Sequence, residues 1–314
     1  YSPAAAPCAE PTALACLALS ARGMEADAFQ ASRSPNHSSA DRRIRLIGGL
    51  ALLARLQRPD GSVSVALNIE SPCWPTGLAV LAWSFSDSIA DPPSADPNAH
   101  PPTADWGCLA APRYRPQTEK AVDWLLHSSG KPIAPNPTVY GHDTTLRGWS
   151  WVENTHAWVE PTAYAILALR GAGKGEHPRV REGIQMVLDR AIPNGGWNYG
   201  NPRVYKNTLR PFPGPTGIAL TALAGQPSDS RIEAGIAYLS HELRRVRSPM
   251  SLGWGLIGLT AWGRRPDEAS VWLEECARRA LCSAPNAMYD ALLLLADLDP
   301  CPITPRSLEV ATNG

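Results

Sequence analysis

Residues 160–169 read Glu160-Pro161-Thr162-Ala163-Tyr164-Ala165-Ile166-Leu167-Ala168-Leu169, and this stretch decides the fold. Proline suits the first turn of a helix, because the N–H it lacks has no intrahelical acceptor there. The residues after Pro161 are apolar on nearly every face and many are small. A helix of that composition is buried on all sides. The pattern recurs at 10–19 (EPTALACLAL), 74–83 (WPTGLAVLAW) and 214–223 (GPTGIALTAL), with weaker copies from Pro249 (PMSLGWGLIGL) and Pro285 (PNAMYDALLLL), six in all. Recurrence of one unit along a chain is the mark of a repeat architecture.

Amphipathic segments lie between the copies, at 41–56, 117–127, 179–190, 231–244 and 267–281, with a short sixth at 305–311. In 231–244 the apolar Ile232, Ile236, Leu239 and Leu243 keep helical spacing, while Arg231, Glu233, Arg244 and Arg245 fall on the other side. A buried helix followed by an amphipathic one, six times over, predicts an inner and an outer ring. The expected fold is all-α, an (α/α)6 toroid forming a single domain over 1–314. No strand signal rivals the helical one. Three segments rich in Pro, Gly and Asn, at 86–116, 129–157 and 198–213, read as rim loops, and long loops commonly carry function.

The 314 residues suffice for a sizeable core, and with 44% hydrophobic and 18% charged residues the chain is globular in composition. Its formal net charge is zero, so no basic field gathers nucleic acid. Eleven tryptophans against 3 phenylalanines point to a repeated turn motif or an aromatic-lined cavity. No apolar run reaches the length of a membrane span. No secretory signal is visible, and 7 cysteines at irregular spacing do not form a disulfide pattern, so a reducing, cytoplasmic location is expected. Gly171–Glu176 (GAGKGE) lacks the spacing of a phosphate-binding loop and is expected to join an inner to an outer helix.

Two turns after outer segments, Gln57-Arg58-Pro59-Asp60-Gly61-Ser62 and Asn194-Gly195-Gly196-Trp197, are similar to the Q-x-x-D-G-x-W turn of squalene and oxidosqualene cyclases. The chain thus resembles the terpenoid cyclase and protein prenyltransferase superfamily. The first turn has Ser62 and Val63 where Trp would stand; the second lacks Gln and Asp. In that superfamily the turn ties outer helices together. The resemblance also implies an acid: class II cyclases open one inner helix with D-x-D-D-T-A, whose middle Asp donates the proton. That position falls on Glu160 in Trp158-Val159-Glu160-Pro161-Thr162-Ala163, and in a second overlay on Glu10. The flanking acids are replaced by Trp158 and Pro161.

A carboxyl at an inner-helix start, desolvated among tryptophans, keeps its proton and suits general-acid work. The catalytic candidates are therefore Glu160, with His156 to hydrogen-bond it and Glu153 as a second carboxylate. The substrate-binding candidates are Trp74, Trp149, Trp151, Trp158 and Tyr164, whose π-faces attract a cation. The expected function is acid-initiated cyclisation of an isoprenoid in a Trp-lined central cavity, without a cofactor. The expected partners are the hydrophobic substrate, a membrane surface at the periphery, and a further subunit or domain.

Three other readings stand beside it. One is a non-catalytic toroid that binds a lipid, isoprenoid or peptide. Another is a zinc-dependent prenyl-transfer subunit, with ligands drawn from Glu70, Cys73, Asp105, Cys108, His142 and His156. The last is an (α/α)6 carbohydrate-active enzyme, whose two carboxylates would be Glu153 with Glu160 or Asp143. Asp290, one turn into the last inner helix, is expected to be buried with a partner.

Overall fold

The computed structural model describes residues 7–30, 37–90, 113–282 and 286–304. It is all-α apart from one two-stranded ribbon. The inner helices are α1 (Ala9–Gln30), α3 (Thr76–Ala90), α5 (Val159–Gly171), α7 (Pro213–Leu223), α9 (Pro249–Ala261) and α11 (Ala287–Asp297). Each packs on the next, and α11 packs back on α1, so the ring closes. The outer helices α2 (His37–Leu56), α4 (Arg115–His127), α6 (Pro178–Asp189), α8 (Ser230–Glu242) and α10 (Ala269–Leu281) lie against the ring, each on the inner helix before it. The expected toroid is therefore present, while the segment 305–311 lies outside the described residues.

The inner helices α7 and α9 are buried almost end to end, and every residue of α5 from Val159 to Leu169 is buried, whereas α11 exposes Ala287, Asp290, Leu294 and Asp297. On α8 and the turn that follows it, Ile232, Ile236, Leu239 and Leu243 are buried, while Arg231, Glu233, Arg244 and Arg245 are exposed. Close ring packing depends on small residues where helices touch. A Cβ on Gly77 would come within 2.9 Å of the Tyr164 carbonyl oxygen, and one on Gly217 would overlap the Trp254 carbonyl.

The Pro-Thr pair explains how outer turns are fastened to inner helices. Thr76 Oγ1 accepts the Val63 N–H at 2.8 Å, Thr162 Oγ1 the Trp149 N–H at 2.9 Å, and Thr216 Oγ1 the Trp197 N–H at 2.9 Å. Val63, Trp149 and Trp197 thus hold one structural position. Each tryptophan of this set also reaches both neighbouring outer helices. Trp149 Nε1 donates to the Leu125 carbonyl at 3.0 Å and its ring lies on Gly183 of α6. Trp197 Nε1 donates to the Val187 carbonyl at 2.7 Å and its ring lies on Gly235 of α8. Gln57 Nε2 donates to the Gly61 and Gln117 carbonyls, joining the end of α2 to the first turn of α4.

Several sequence expectations are corrected. Residues 86–90 belong to α3, and Arg115 and Pro116 begin α4, so the rim segment is shorter than expected; its residues 91–112 are not among those described. The 198–213 loop contains β1 (Arg203–Val204) and β2 (Asn207–Thr208), an antiparallel ribbon that turns through Tyr205 and Lys206. Its turn carries neither Gly nor Asn at the central positions, so the usual hairpin signal was missing. Asp290 is exposed rather than buried, at the start of α11, where an acid favours the helix dipole. Residues 172–177 join α5 to α6, as expected. Among the described residues no helix is long and apolar enough to cross a membrane.

Candidate functional site

Because each inner helix starts at an outer-helix turn, all the inner N-termini open on one mouth of the ring. The repeated sequence pattern puts the helices in one register, and the Gly77–Tyr164, Gly217–Trp254 and Gly253–Leu292 approaches agree with it for α3 with α5 and for α7, α9 and α11. Its top layer is Glu10, Trp74, Glu160, Gly214, Met250 and Met288. One turn further in, the layer is Leu14, Leu78, Tyr164, Ile218, Trp254 and Leu292, all of them buried. The layer one turn below the inner N-termini is therefore made of buried side chains.

Glu160 sits at the second residue of α5 and is only 9% exposed. Burial raises its pKa to about 8, and the nearby Glu10 carboxyl adds to the rise. Burial likewise raises Glu10, on α1, to about 7. The helices that carry the two carboxyls, α1 and α5, both pack on α3, and Trp74 stands just before α3. Neither carboxylate forms an ion pair or hydrogen bond among the described residues. Desolvation without a counter-charge favours the neutral form, and two like charges at close range cannot both ionise cheaply. At neutral pH Glu160 therefore carries its proton.

Four aromatic rings cluster below Glu160. Trp74 meets Trp151 edge-on, with ring centroids 4.6 Å apart, and stacks on Tyr164 at 6.0 Å. Tyr164 in turn meets Trp254 of α9 at 5.8 Å, across the ring. The Tyr164 hydroxyl is held un-ionised by burial and by both glutamates. Trp254 Nε1 is buried without an acceptor among the described residues.

Of the sequence candidates, Glu160, Trp74, Trp151 and Tyr164 come together here. Trp149 does not: its ring is clamped between α4 and α6 under the Arg179 guanidinium, 4.2 Å from the ring centroid, where it serves as a fastening of the outer ring. Trp158 caps the start of α5 and packs on His156 at 4.3 Å. His156 makes no hydrogen bond to Glu160; burial and the Arg190 charge keep it neutral. Glu153 accepts the Ser71 hydroxyl and faces the Cys73 thiol on the loop before α3, so it is not the second carboxylate of the pair. That place belongs to Glu10. Asp143 is exposed and held by the Thr145 N–H and hydroxyl. Glu10 was legible in the repeated Glu-Pro-Thr-Ala, whereas Trp254, Met250 and Met288 emerge only from the ring register. Among the described residues no three His, Cys, Asp or Glu side chains are grouped to hold a metal ion, and Asp105 and Cys108 lie outside them.

No protein-family model matches the chain. Over 96 residues it is 29% identical to a squalene–hopene cyclase of Bradyrhizobium diazoefficiens; the match covers 29% of this chain and 14% of the cyclase. The chain thus spans about a seventh of the length of that relative. Among solved structures it is similar to a Salmonella alpha-2-macroglobulin (TM-score 0.44, 16% identity, 91% of this chain and 16% of that one). It is also similar to the part of the Escherichia coli alpha-2-macroglobulin from domain MG7 to the C-terminus (TM-score 0.45, 17% identity, 93% and 39% of the two chains).

Proposed function

We propose that the chain is a terpene-cyclase-like toroid that receives the end of an isoprenoid at its N-terminal mouth, where Glu160 acts as general acid. The observation that carries this reading is a neutral, unpaired carboxyl one turn above Tyr164 and its aromatic cluster, on a chain with local likeness to a squalene–hopene cyclase. In the step envisaged, the Glu160 O–H bond breaks and its proton bonds to an alkene carbon or an epoxide oxygen. The alkene π bond, or one C–O bond of the protonated epoxide, breaks, positive charge develops on the carbon left behind, and the electrons of a second alkene close a ring onto it. Loss of a proton from the final cation restores the acid. The faces of Trp74, Trp151 and Tyr164 favour the cation by their quadrupoles.

A carboxyl with its pKa raised to about 8 is a weaker acid than an ordinary glutamic acid. An epoxide oxygen, more basic than an alkene carbon, is therefore the easier acceptor. The replacement of the flanking acids by Trp158 and Pro161 favours a second reading, a toroid that binds an isoprenoid end without transforming it. One experiment separates the two. The protein and its Glu160→Gln variant are incubated with squalene, oxidosqualene and linear prenyl diphosphates, and extracts are analysed by mass spectrometry. Cyclic product that the variant fails to make supports catalysis. Full turnover by the variant refutes the role of Glu160, and no product from the folded wild type leaves the binding reading.

A further inference from the structure

The rim segment 139–143 joins two other parts of the molecule. On one side it holds the ribbon of β1 and β2. Tyr205 N–H donates to the Val139 carbonyl at 2.8 Å, Gly141 N–H donates to the Arg203 carbonyl at 3.0 Å, and Tyr140 bridges Val204. On the other side it is tied to the end of α6. Arg190 Nη1 donates to the Asp143 carbonyl at 3.0 Å, and the Asp189 carboxylate accepts the Asp143 N–H at 3.0 Å. Arg190 is only 3% exposed and pairs with Asp189 at 2.8 Å. The ribbon turns through Tyr205 and Lys206, both at positive φ, +48° and +66°. A hairpin turn of that geometry favours Asn-Gly, so side chains there are strained and persist where their surroundings hold them. The segment 139–141 supplies that support.

His142 stands at the centre of this junction. Its Nδ1 is buried and finds no hydrogen-bond partner among the described residues, and the same holds for Arg190 Nε. Tyr140 lies beside the imidazole, with ring centroids 5.5 Å apart. Asp143 and His156 act on it from its own connection, and Arg190 from the end of α6, with Asp189 next to Arg190. From the ribbon, the Arg203 side chain lies against Gly141. Histidinium carries an N–H on both ring nitrogens. A charged His142 would therefore bury a donor at Nδ1 with no acceptor, beside the guanidinium of Arg190. An orphaned buried donor is costly, and like charges at close range repel.

We infer that this junction is an acid-sensitive clasp, in which protonation of His142 opens the 139–143 segment and frees the tip of the ribbon. In the closed form burial, Arg190 and His156 hold the His142 pKa down to about 4, against the pull of Asp143; the ordinary value of 6.5 returns once the segment opens. The open form alone therefore gains by taking up a proton as pH falls from 6.5, and the gain levels off below 4. Between pH 7.5 and pH 5 the ratio of open to closed form rises about 30-fold. His156, lowered by burial and by the same Arg190, adds to the effect. Asp189, raised chiefly by burial, works against it. The clasp does not depend on the role proposed for Glu160.

The test is hydrogen–deuterium exchange read at single amides by NMR, with rates corrected for the intrinsic effect of pH. The reporters are the Gly141 and Tyr205 N–H groups, and amides of α7 are the core controls. In the wild type, protection of both reporters should fall about 30-fold from pH 7.5 to pH 5 while the controls do not fall. In His142→Gln, which is neutral throughout, most of that fall should disappear. His142→Phe, which keeps a ring beside Tyr140, repeats the comparison if the Gln variant does not fold. Reporter protection indifferent to pH, an equal fall in the folded variant, or a fall in step with α7 would each overturn the inference.

Discussion

Replacing Glu160 by Gln should make the protein more resistant to unfolding as pH rises. The unfolded chain releases the Glu160 proton near the ordinary value of 4.5, whereas the folded chain holds it to about 8. Below both values the side chain is protonated in both states and stability is unaffected. Between them the unfolded state alone gains by ionising, so stability falls with rising pH, and above the folded value the loss levels off. The difference corresponds to about 5 kcal/mol at its limit, and about 3 kcal/mol at neutral pH. Glu10 adds a loss of the same sign up to about 7. His142, lowered to about 4 by burial and the Arg190 and His156 charges, works in the opposite sense: it costs stability as pH falls from its ordinary 6.5. The quantity to measure is therefore the stability of Glu160→Gln relative to wild type, from urea unfolding at several pH values. The variant should gain on the wild type by several kcal/mol between about pH 5 and pH 8. A difference that stays flat over that interval would refute the reasoning, because Glu160 would then titrate alike in both states.

Three further outcomes follow from the fold. Gly217→Ala drives a methyl group into the Trp254 backbone, so it should cost at least about 1–3 kcal/mol, read by thermal unfolding. Gly214→Ala meets nothing within 4 Å at the start of the same helix and should be neutral or stabilising by up to about 1 kcal/mol, in the same assay. Thr216→Val orphans the buried Trp197 N–H and should cost about 1–3 kcal/mol, while Thr216→Ser keeps the bond and most of the stability.

The ring was legible because the same physical demand recurs in every repeat. Pro161 and Thr162 open an inner helix, and Ala163 and Ala165 let it pack, so the pattern announces itself again at Pro11, Pro75 and Pro215. The role of Trp149 was less legible, since Gly148-Trp149 shares only a dipeptide with Gly196-Trp197. Its equivalence shows in the carbonyl it reaches and the glycine it lies on, both distant in sequence. Glu153 was plausible as a second acid by its nearness in sequence to Glu160. The ring instead brings in Glu10, 150 positions away, because α1 and α5 both flank α3. Likewise nothing local distinguishes Trp254 from other core residues; its meeting with Tyr164 is a property of the closed circle.

The central claim is that a protonated Glu160 initiates the chemistry, and the pH dependence of product formation tests it most directly. With a substrate found in the product screen, the rate should fall as pH rises through about 8, tracking loss of the Glu160 proton. In Glu10→Gln, where the neighbouring carboxylate no longer opposes ionisation, that fall should move to lower pH. A rate that climbs through the same interval, or one indifferent to both pH and Glu10, would contradict the account.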